Sequence, residues 1–482
     1  MIDTRPILMV LGILLATLGI AMLIPAAADA AVGHVDWLVF CVAAGVCTFI
    51  GGALALAARG HARAITNRQA FILTVAAWIV IPAFAALPFS FSELNLSYTD
   101  GFFEAMSGLT TTGSTVITGL DHAPPGILLW RALLQWLGGI GIIVMAIAIL
   151  PLLRIGGMQL FRLESSDTSE KVLPRAAQIA AASAGIYLAL STFCAGALWL
   201  AGMPFFDAAI HAMTTLATGG FSTSDRSIGG FESAGVDWIV IAFMLLASLP
   251  FLIYFQAVRG RPLVLWRDSQ VRWFFAIVTV CIALMTLWTV SEVDLAPAEA
   301  FRHSAFSVVS IVTGTGFATM DYTAWGSFAV TGFFFLTFAG GCAGSACGGI
   351  KMYRFQVLYE TGRVQMSRLV RPHGVVVPRY NGRPIPESAI DSVMSFFFLF
   401  ALVFGLLVLA LSMLGLDFTT ALSGAATAMS NVGPGLGEII GPTGTFQTLP
   451  DGAKWLLSAG MLLGRLELFT VLVLFTRRFW TE

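Results

Sequence analysis

Four short Thr/Gly-rich runs interrupt otherwise apolar sequence, each just after a small amphipathic stretch, and no lipid-facing helix can be built through them. They are Thr110-Thr111-Thr112-Gly113-Ser114-Thr115, Ala217-Thr218-Gly219-Gly220-Phe221-Ser222, Thr313-Gly314-Thr315-Gly316-Phe317-Ala318 and Val432-Gly433-Pro434-Gly435-Leu436-Gly437. Aligning Gly113, Gly220, Gly316 and Gly435 gives separations of 107, 96 and 119 residues, a fourfold internal repeat in one polypeptide. Non-helical backbone at membrane depth persists only where protein or a water-filled cavity satisfies its polar groups. Four such loops meeting on one axis would form a ring of backbone carbonyls able to replace the water shell of a K⁺ ion. The runs therefore predict an ion-conducting pore.

Hydropathy sets the surroundings of that pore. Mean hydropathy is +0.86, and of the 482 residues 57% are hydrophobic and 11% charged. Many apolar stretches reach or approach the roughly 20 residues that cross a bilayer core. Six cysteines, at 41, 47, 194, 281, 342 and 347, form no Cys-x-x-Cys pair and read as small buried hydrophobes. Arg5, an apolar run from Ile7 to Ile24 and Ala28-Asp29-Ala30 resemble a secretory signal. The run is 18 residues, longer than a usual signal core of about 7–15, so it is read as a retained first helix.

Spanning helices are expected near 7–27, 36–58, 69–91, 126–153, 176–202, 236–258, 271–291, 325–356, 389–415 and 452–476. Between them, segments near 97–110, 204–217, 299–312 and 418–431 are too short to span and too apolar for solvent loops, and read as re-entrant half-helices. With the N-terminus cytoplasmic, 21 of the 26 Lys and Arg fall on the cytoplasmic side. Only Arg226, Arg302 and Lys454 fall outside, and Arg131 and Arg465 lie in or beside apolar segments. That bias obeys the positive-inside rule and makes all four runs open from the outer face. Pore helices entering from that face aim their negative dipole ends at the centre, which favours a cation. Asp100, Glu104, Asp207, Asp225, Glu292, Asp294, Glu299, Asp321, Asp417, Glu438 and Asp451 lie on the same side, either concentrating cations or as solvated loop charges.

The fold class is thus an all-α polytopic membrane protein with four helix–pore-loop–helix repeats around one pseudo-fourfold pore. Its units are an N-terminal helix pair (1–66) and pore repeats at 67–160, 161–260, 261–360 and 361–482. The third repeat contains a Gly-rich segment at 340–350, and the fourth a basic loop at 361–388.

At these runs, at Leu134-Gln135-Trp136-Leu137-Gly138-Gly139-Ile140-Gly141, at Gly340–Lys351 and at Gly464-Arg465-Leu466-Glu467-Leu468-Phe469, the chain resembles the Trk/Ktr/HKT superfamily of potassium transporters. It is most similar to bacterial TrkH/TrkG-type subunits, and the resemblance covers essentially the whole chain. It implies K⁺ as the transported ion, no cofactor in this chain and a bacterial inner-membrane location with cytoplasmic termini. It also implies a selectivity filter built from Thr111, Thr112, Gly113, Ser114, Thr218, Gly219, Gly220, Phe221, Gly314, Thr315, Gly316, Phe317, Gly433, Pro434, Gly435 and Leu436. Thr/Gly content by itself does not separate K⁺ from Na⁺. Pro434 and Ser114 break the fourfold symmetry of the runs.

Residues 340–349 hold five of the chain's glycines, each costing a helix about 1 kcal/mol relative to Ala, so this stretch is expected to unwind. A small-residue packing patch is the other reading. The resemblance implies a gating loop here, with Gly340, Gly341, Gly344, Ser345, Gly348, Gly349 and Lys351 as its residues. Cys347 stands where a small polar residue is expected. Arg465 lies inside an apolar segment, where an unpaired charge is costly. Pairing with Glu467 is hampered because i, i+2 residues point to different helix faces; the resemblance implies that Arg465 projects into the permeation path.

The 360–387 segment, with Asn381-Gly382 as a turn signal, is either a plain loop or a docking face. The resemblance implies a homodimer, one pore per subunit, docked on a cytosolic TrkA-type regulatory subunit that binds NAD(H) or ATP. The chain has no Gly-x-Gly-x-x-Gly unit and no Walker loop of its own. Two other functions fit the sequence less well. A carrier with broken helices predicts paired halves and not quarters. An intramembrane enzyme using Ser345 lacks a His in a spanning helix, since His211 and His303 fall in outer half-helices. No nucleic-acid-binding feature is present.

Overall fold

The computed structural model describes residues 3–60, 66–148, 172–258, 260 and 263–481. The end of the expected span 126–153, the boundary at 160/161 and the basic residues Arg63, Arg154, Arg162, Lys171, Arg259 and Arg261 lie outside the described residues.

Among the described residues, seven helices are long and apolar enough to cross a membrane: Arg5–Val32, Trp37–Ala57, Asn67–Phe91, Pro125–Met145, Gln178–Leu200, Ser269–Glu292 and Glu387–Met413. Three expected spans are broken. Ala234–Ala247 and Phe251–Ala257 meet at 93°, and Asp451–Arg465 and Phe469–Phe475 at 105°. The expected span 325–356 is a 12-residue helix, Ser327–Phe338, then a loop, then Met352–Val370. Pro250 removes a helix donor at the first break, and clustered glycines unwind the third repeat. The break in the fourth repeat is made by Glu467 and Leu468, both left-handed at φ 59° and 47°.

Four short helices fill the places of the half-helices: Tyr98–Leu109, Phe205–Leu216, Pro297–Val312 and Phe418–Ser430. They are the four pore helices. Ser97 and Asp417 cap the first and fourth by accepting the amides of Asp100 and Thr420, both at 3.1 Å. Pro297 opens the third at a position where its missing N–H costs nothing. The pore helices are amphipathic only in their first turns and nearly wholly buried thereafter, because spanning helices surround them.

The apolar core has two large parts. One joins the N-terminal helix pair to repeats 1 and 4 (Phe40, Phe103, Trp130, Met461), and the other runs through repeats 2 and 3 (Leu216, Met244, Phe306, Phe333). The pair also docks by polar contacts: buried Asp29 accepts the Gly126 amide at 2.6 Å, and Asp36 accepts the Glu93 amide at 3.2 Å. Two short antiparallel strands, Arg379–Tyr380 and Arg383–Pro384, flank the expected Asn381-Gly382 turn in the basic loop.

Candidate functional site: the four-loop ring and the layer beneath it

Each pore helix ends in the same hydrogen-bonded turn. The amide of Thr112 donates to Ser107 O at 2.8 Å, Gly219 to Thr214 O at 2.9 Å, Thr315 to Ser310 O at 2.9 Å and Val432 to Thr427 O at 3.0 Å. The residue before each donor is left-handed, with φ of 53° at Thr111, 52° at Thr218, 74° at Gly314 and 54° at Asn431. Its own amide reaches back to Gly108, Thr215, Ile311 or Ala428. This is the Schellman stop, repeated four times. Thr111 and Thr218 are β-branched residues in a region that sterics disfavour, a strain of about 1–3 kcal/mol each that the packed surroundings impose.

The shared register pairs Gly113, Gly220 and Gly316 with Gly433, which corrects the alignment on Gly435. The Gly435 amide donates instead to Ile440 O at 2.6 Å, and a Cβ on Gly435 would lie 2.5 Å from Ile440 Cδ1 of the same repeat. The two glycines flank Pro434, so spacing alone could not choose between them.

The four loops close on one another in chain order. A Cβ on Gly113 would collide with the Gly219 carbonyl, and one on Gly220 with the Thr315 carbonyl. One on Gly316 would sit 2.8 Å from Gly433 N, and one on Gly433 3.0 Å from Gly113 O. Gly113, Gly220 and Gly316 also carry φ of 90°, 76° and 81°, which glycine adopts without strain. Side chains stitch the seams: Ser114 Oγ donates to Gly433 O at 2.8 Å, and Asn431 Nδ2 to Thr112 Oγ1 at 3.0 Å.

The Leu134–Gly141 motif now has a structural reason. Gln135 Nε2 donates to Gly219 O at 2.6 Å while its Oε1 accepts the Phe221 amide at 3.1 Å. A Cβ on Gly138 would strike the Leu109 carbonyl, and one on Gly139 would lie 3.1 Å from Ala217 Cα, so this helix packs directly on the ends of two pore helices. Gly464 serves the fourth pore helix in the same way, against Met429 O.

Behind the first two loops lies a buried ion pair that sequence reading left without a role. Arg131 Nε binds Glu104 at 2.8 Å, its Nη1 donates to Ser222 O at 2.8 Å, its Nη2 to Thr115 Oγ1 at 3.1 Å, and its plane covers Phe221 at 4.0 Å. Glu104 also accepts the Thr115 hydroxyl at 2.9 Å and the Val116 amide at 2.9 Å. The signal available was the cost of Arg131 in an apolar helix, which demands a partner; its distance of 27 residues from Glu104 hid which one. Several outer acids are likewise committed to structure. Asp100 pairs with buried Lys454 at 2.5 Å, Asp207 accepts Thr223 Oγ1 at 2.7 Å, and Asp225 accepts the Leu120 amide at 3.1 Å.

Beneath the ring, the loop between Phe338 and Met352 is folded and well anchored. Gly340 N donates to Ile350 O at 3.0 Å and Ile350 N to Phe338 O at 3.0 Å, closing its neck. It docks on the break in repeat 2: Cys342 N donates to Ser248 O at 3.0 Å, and Phe251 N to Gly344 O at 3.0 Å. The Cys347 thiol donates to Ser248 Oγ at 3.1 Å, so cysteine keeps a hydrogen bond there. Ser345 Oγ donates to Cys342 O at 2.6 Å, and Lys351 Nζ to Cys347 O. From repeat 4, Arg465 Nη1 donates to Ala346 O at 3.1 Å. Glu467 pairs with Arg354 and not with Arg465; it lies past the helix end, at φ 59°, so the separation of the two follows from the break and not from helical i, i+2 spacing. Lys351 and Arg354, counted among cytoplasmic charges by position, sit in this layer. A cavity of about 30 Å³ lies between the loop, Arg465 and Phe400.

A family model described as TrkH, cation transport protein, matches residues 39–481. The chain belongs to the TrkH family of cation transport proteins. This TrkH-family chain is 47% identical to the Trk system potassium uptake protein TrkI of Halomonas elongata, over 99% of this chain and 97% of that protein. It is 40% identical to TrkH of Vibrio parahaemolyticus over 99% of each, and 42% identical to TrkH of Escherichia coli over 87% of each. The crystal structure of the potassium transporter TrkH from Vibrio parahaemolyticus superimposes with a TM-score of 0.92 at 38% identity, covering 99% of this chain and 100% of that one. The chain is a multi-pass membrane protein of a transporter family, not an enzyme.

Proposed function

We propose that this TrkH-family chain conducts K⁺ inward across the bacterial inner membrane as the membrane subunit of a Trk system, with both termini cytoplasmic. The carrying observation is the closed ring of four loops, each at the C-terminal end of a pore helix and each in the same register. Four negative dipole ends around one axis favour a cation, and a close-packed ring of backbone oxygens can replace its water shell. The names of the relatives, potassium uptake proteins at 40–47% identity, support K⁺ as that cation.

In this reading the ion meets backbone of Thr111–Ser114, Thr218–Phe221, Gly314–Phe317 and Asn431–Pro434, with Gly435 and Leu436 shaping the outer turn. The loop at 340–350 and Arg465 form the gate below it. The chain divides into the N-terminal pair and four pore repeats at the boundaries given above. It pairs as a homodimer with one pore per subunit, and its basic cytoplasmic face docks a TrkA-type nucleotide-binding subunit. Nucleotide reaches the gate only through that partner, whose two conformations must differ in affinity for it. Flux through the purified chain alone is then insensitive to ATP, ADP and NAD(H).

Expression in a host stripped of its own K⁺ uptake systems tests the function. Growth at low K⁺ should return with the wild-type chain and fail with Gly220→Ser. A wild-type chain that reaches the membrane and does not restore growth would refute the reading.

A further inference from the structure

Among the described residues, the layer beneath the ring carries an excess of basic over acidic side chains. The cavity there is lined by Lys351, Arg354, Arg465, Glu467, Ser345 and Cys347, among others, so three basic side chains meet one carboxylate. Glu467 is committed to Arg354. Arg465 is 3% exposed and makes one hydrogen bond, to Ala346 O, while Nε and Nη2 have no hydrogen-bond partner among the described residues. A guanidinium offers five N–H donors, and leaving several of them buried and unused is costly. Among the described residues lining the cavity, Glu467 is the one carboxylate, Ser345 is uncharged and Lys351 is itself a cation that donates to Cys347 O.

We infer that this cavity is a site for a small monovalent anion of chloride size, held by Arg465 Nε and Nη2 and by the Lys351 charge. The cavity, about 30 Å³ for the centre of a water-sized guest, has room for a one-atom anion. Such an anion would bridge the fourth-repeat helix end to the third-repeat loop, two segments whose cations otherwise repel. It thus stabilises the arrangement described here, with the loop seated. The effect on transport rests on the reading of this layer as the gate; the binding itself does not.

The full-length chain, purified in detergent at fixed K⁺ and fixed ionic strength, provides the test. Replacing gluconate by chloride should raise the thermal midpoint by a few degrees, and the shift should saturate, as for a ligand that binds only the folded state. Arg465→Gln and Lys351→Gln should each lose the chloride increment, whereas Arg226→Gln, on the outer surface, should keep it. An identical midpoint in both anions, or an increment that survives Arg465→Gln, overturns the site. Should the variants fail to fold, wild-type crystals grown in bromide decide: an anomalous peak between Arg465 and Lys351 supports the site, and solvent density there without anomalous signal refutes it. Because K⁺ is constant throughout, the result stands whether or not the chain selects K⁺.

Discussion

The ring and the layer beneath it belong to the same pore but are built on different rules. In the ring, four loops share one hydrogen-bond register, one left-handed residue and one glycine in close contact with a neighbouring loop. In the inner layer, repeat 2 bends at 93°, repeat 3 inserts a loop, repeat 4 bends at 105°, and repeat 1 runs unbroken to Ala148. A cage that grips an ion constrains every side of itself, whereas one obstruction suffices to close a pathway. The ion pairs differ likewise. Every nitrogen of the Arg131 guanidinium and both oxygens of Glu104 have a partner, which rigidifies the loops they brace. Arg465 reaches the loop through one direct hydrogen bond, to Ala346 O, so this side chain ties repeat 4 to repeat 3 at a single point.

The largest expected effects come from halving the buried pairs. Glu104→Gln and Glu467→Gln each strand a buried arginine and should cost about 3–5 kcal/mol of stability, read as a fall in thermal midpoint. The comparison requires their transport effects to differ: Glu104→Gln should erode Rb⁺-over-Na⁺ preference, and Glu467→Gln should raise basal Rb⁺ flux. The same flux change from both would break the division into two layers. Next is Arg465→Ala. At about 7 Å and an effective dielectric near 20, its repulsion of K⁺ is about 2.4 kcal/mol, so basal flux should rise by up to roughly sixtyfold. Deletion within 341–348 should act in the same direction. No gain from either, with normal insertion, would place the barrier elsewhere.

Gly113→Ser should lower Rb⁺-over-Na⁺ preference about tenfold, since its Cβ meets the Gly219 carbonyl and its φ is hostile to side chains. Gly433→Ala should act similarly, while Gly435→Ala should change selectivity less than about twofold because its contact is with Ile440 of the same repeat. Equal effects at Gly433 and Gly435 would undo the register. The smallest effect is expected of Cys347→Ser: a hydroxyl keeps the bond to Ser248, and flux should stay within about twofold.

Much of this arrangement could be read from residues alone. The Thr/Gly runs located the four loops, and glycine density marked the unwound segment in repeat 3. The repeat 2 break was not read: Pro250 lies inside the expected span 236–258, where the structure bends by 93°. The fourth break carried no such mark: Glu467 and Leu468 are held left-handed by tertiary packing, which local propensity cannot announce. The register of the fourth loop was hidden by two glycines around one proline. The outer acids read either as cation collectors or as solvated loop charges, yet Glu104, Asp100 and Asp225 are bound to partners far along the chain. Pairings across repeats depend on how helices pack, and packing is not written in spacing.

The account rests most heavily on the ring of Gly113, Gly220, Gly316 and Gly433 as the place where the ion is held. Diffraction from crystals soaked in Tl⁺, a heavy stand-in for K⁺, addresses it directly. The strongest anomalous peak should lie on the axis enclosed by those four glycines and should weaken as K⁺, but not Na⁺, is added back. A strongest peak at the level of Gly435 and Ile440, or one displaced equally by Na⁺, would contradict it.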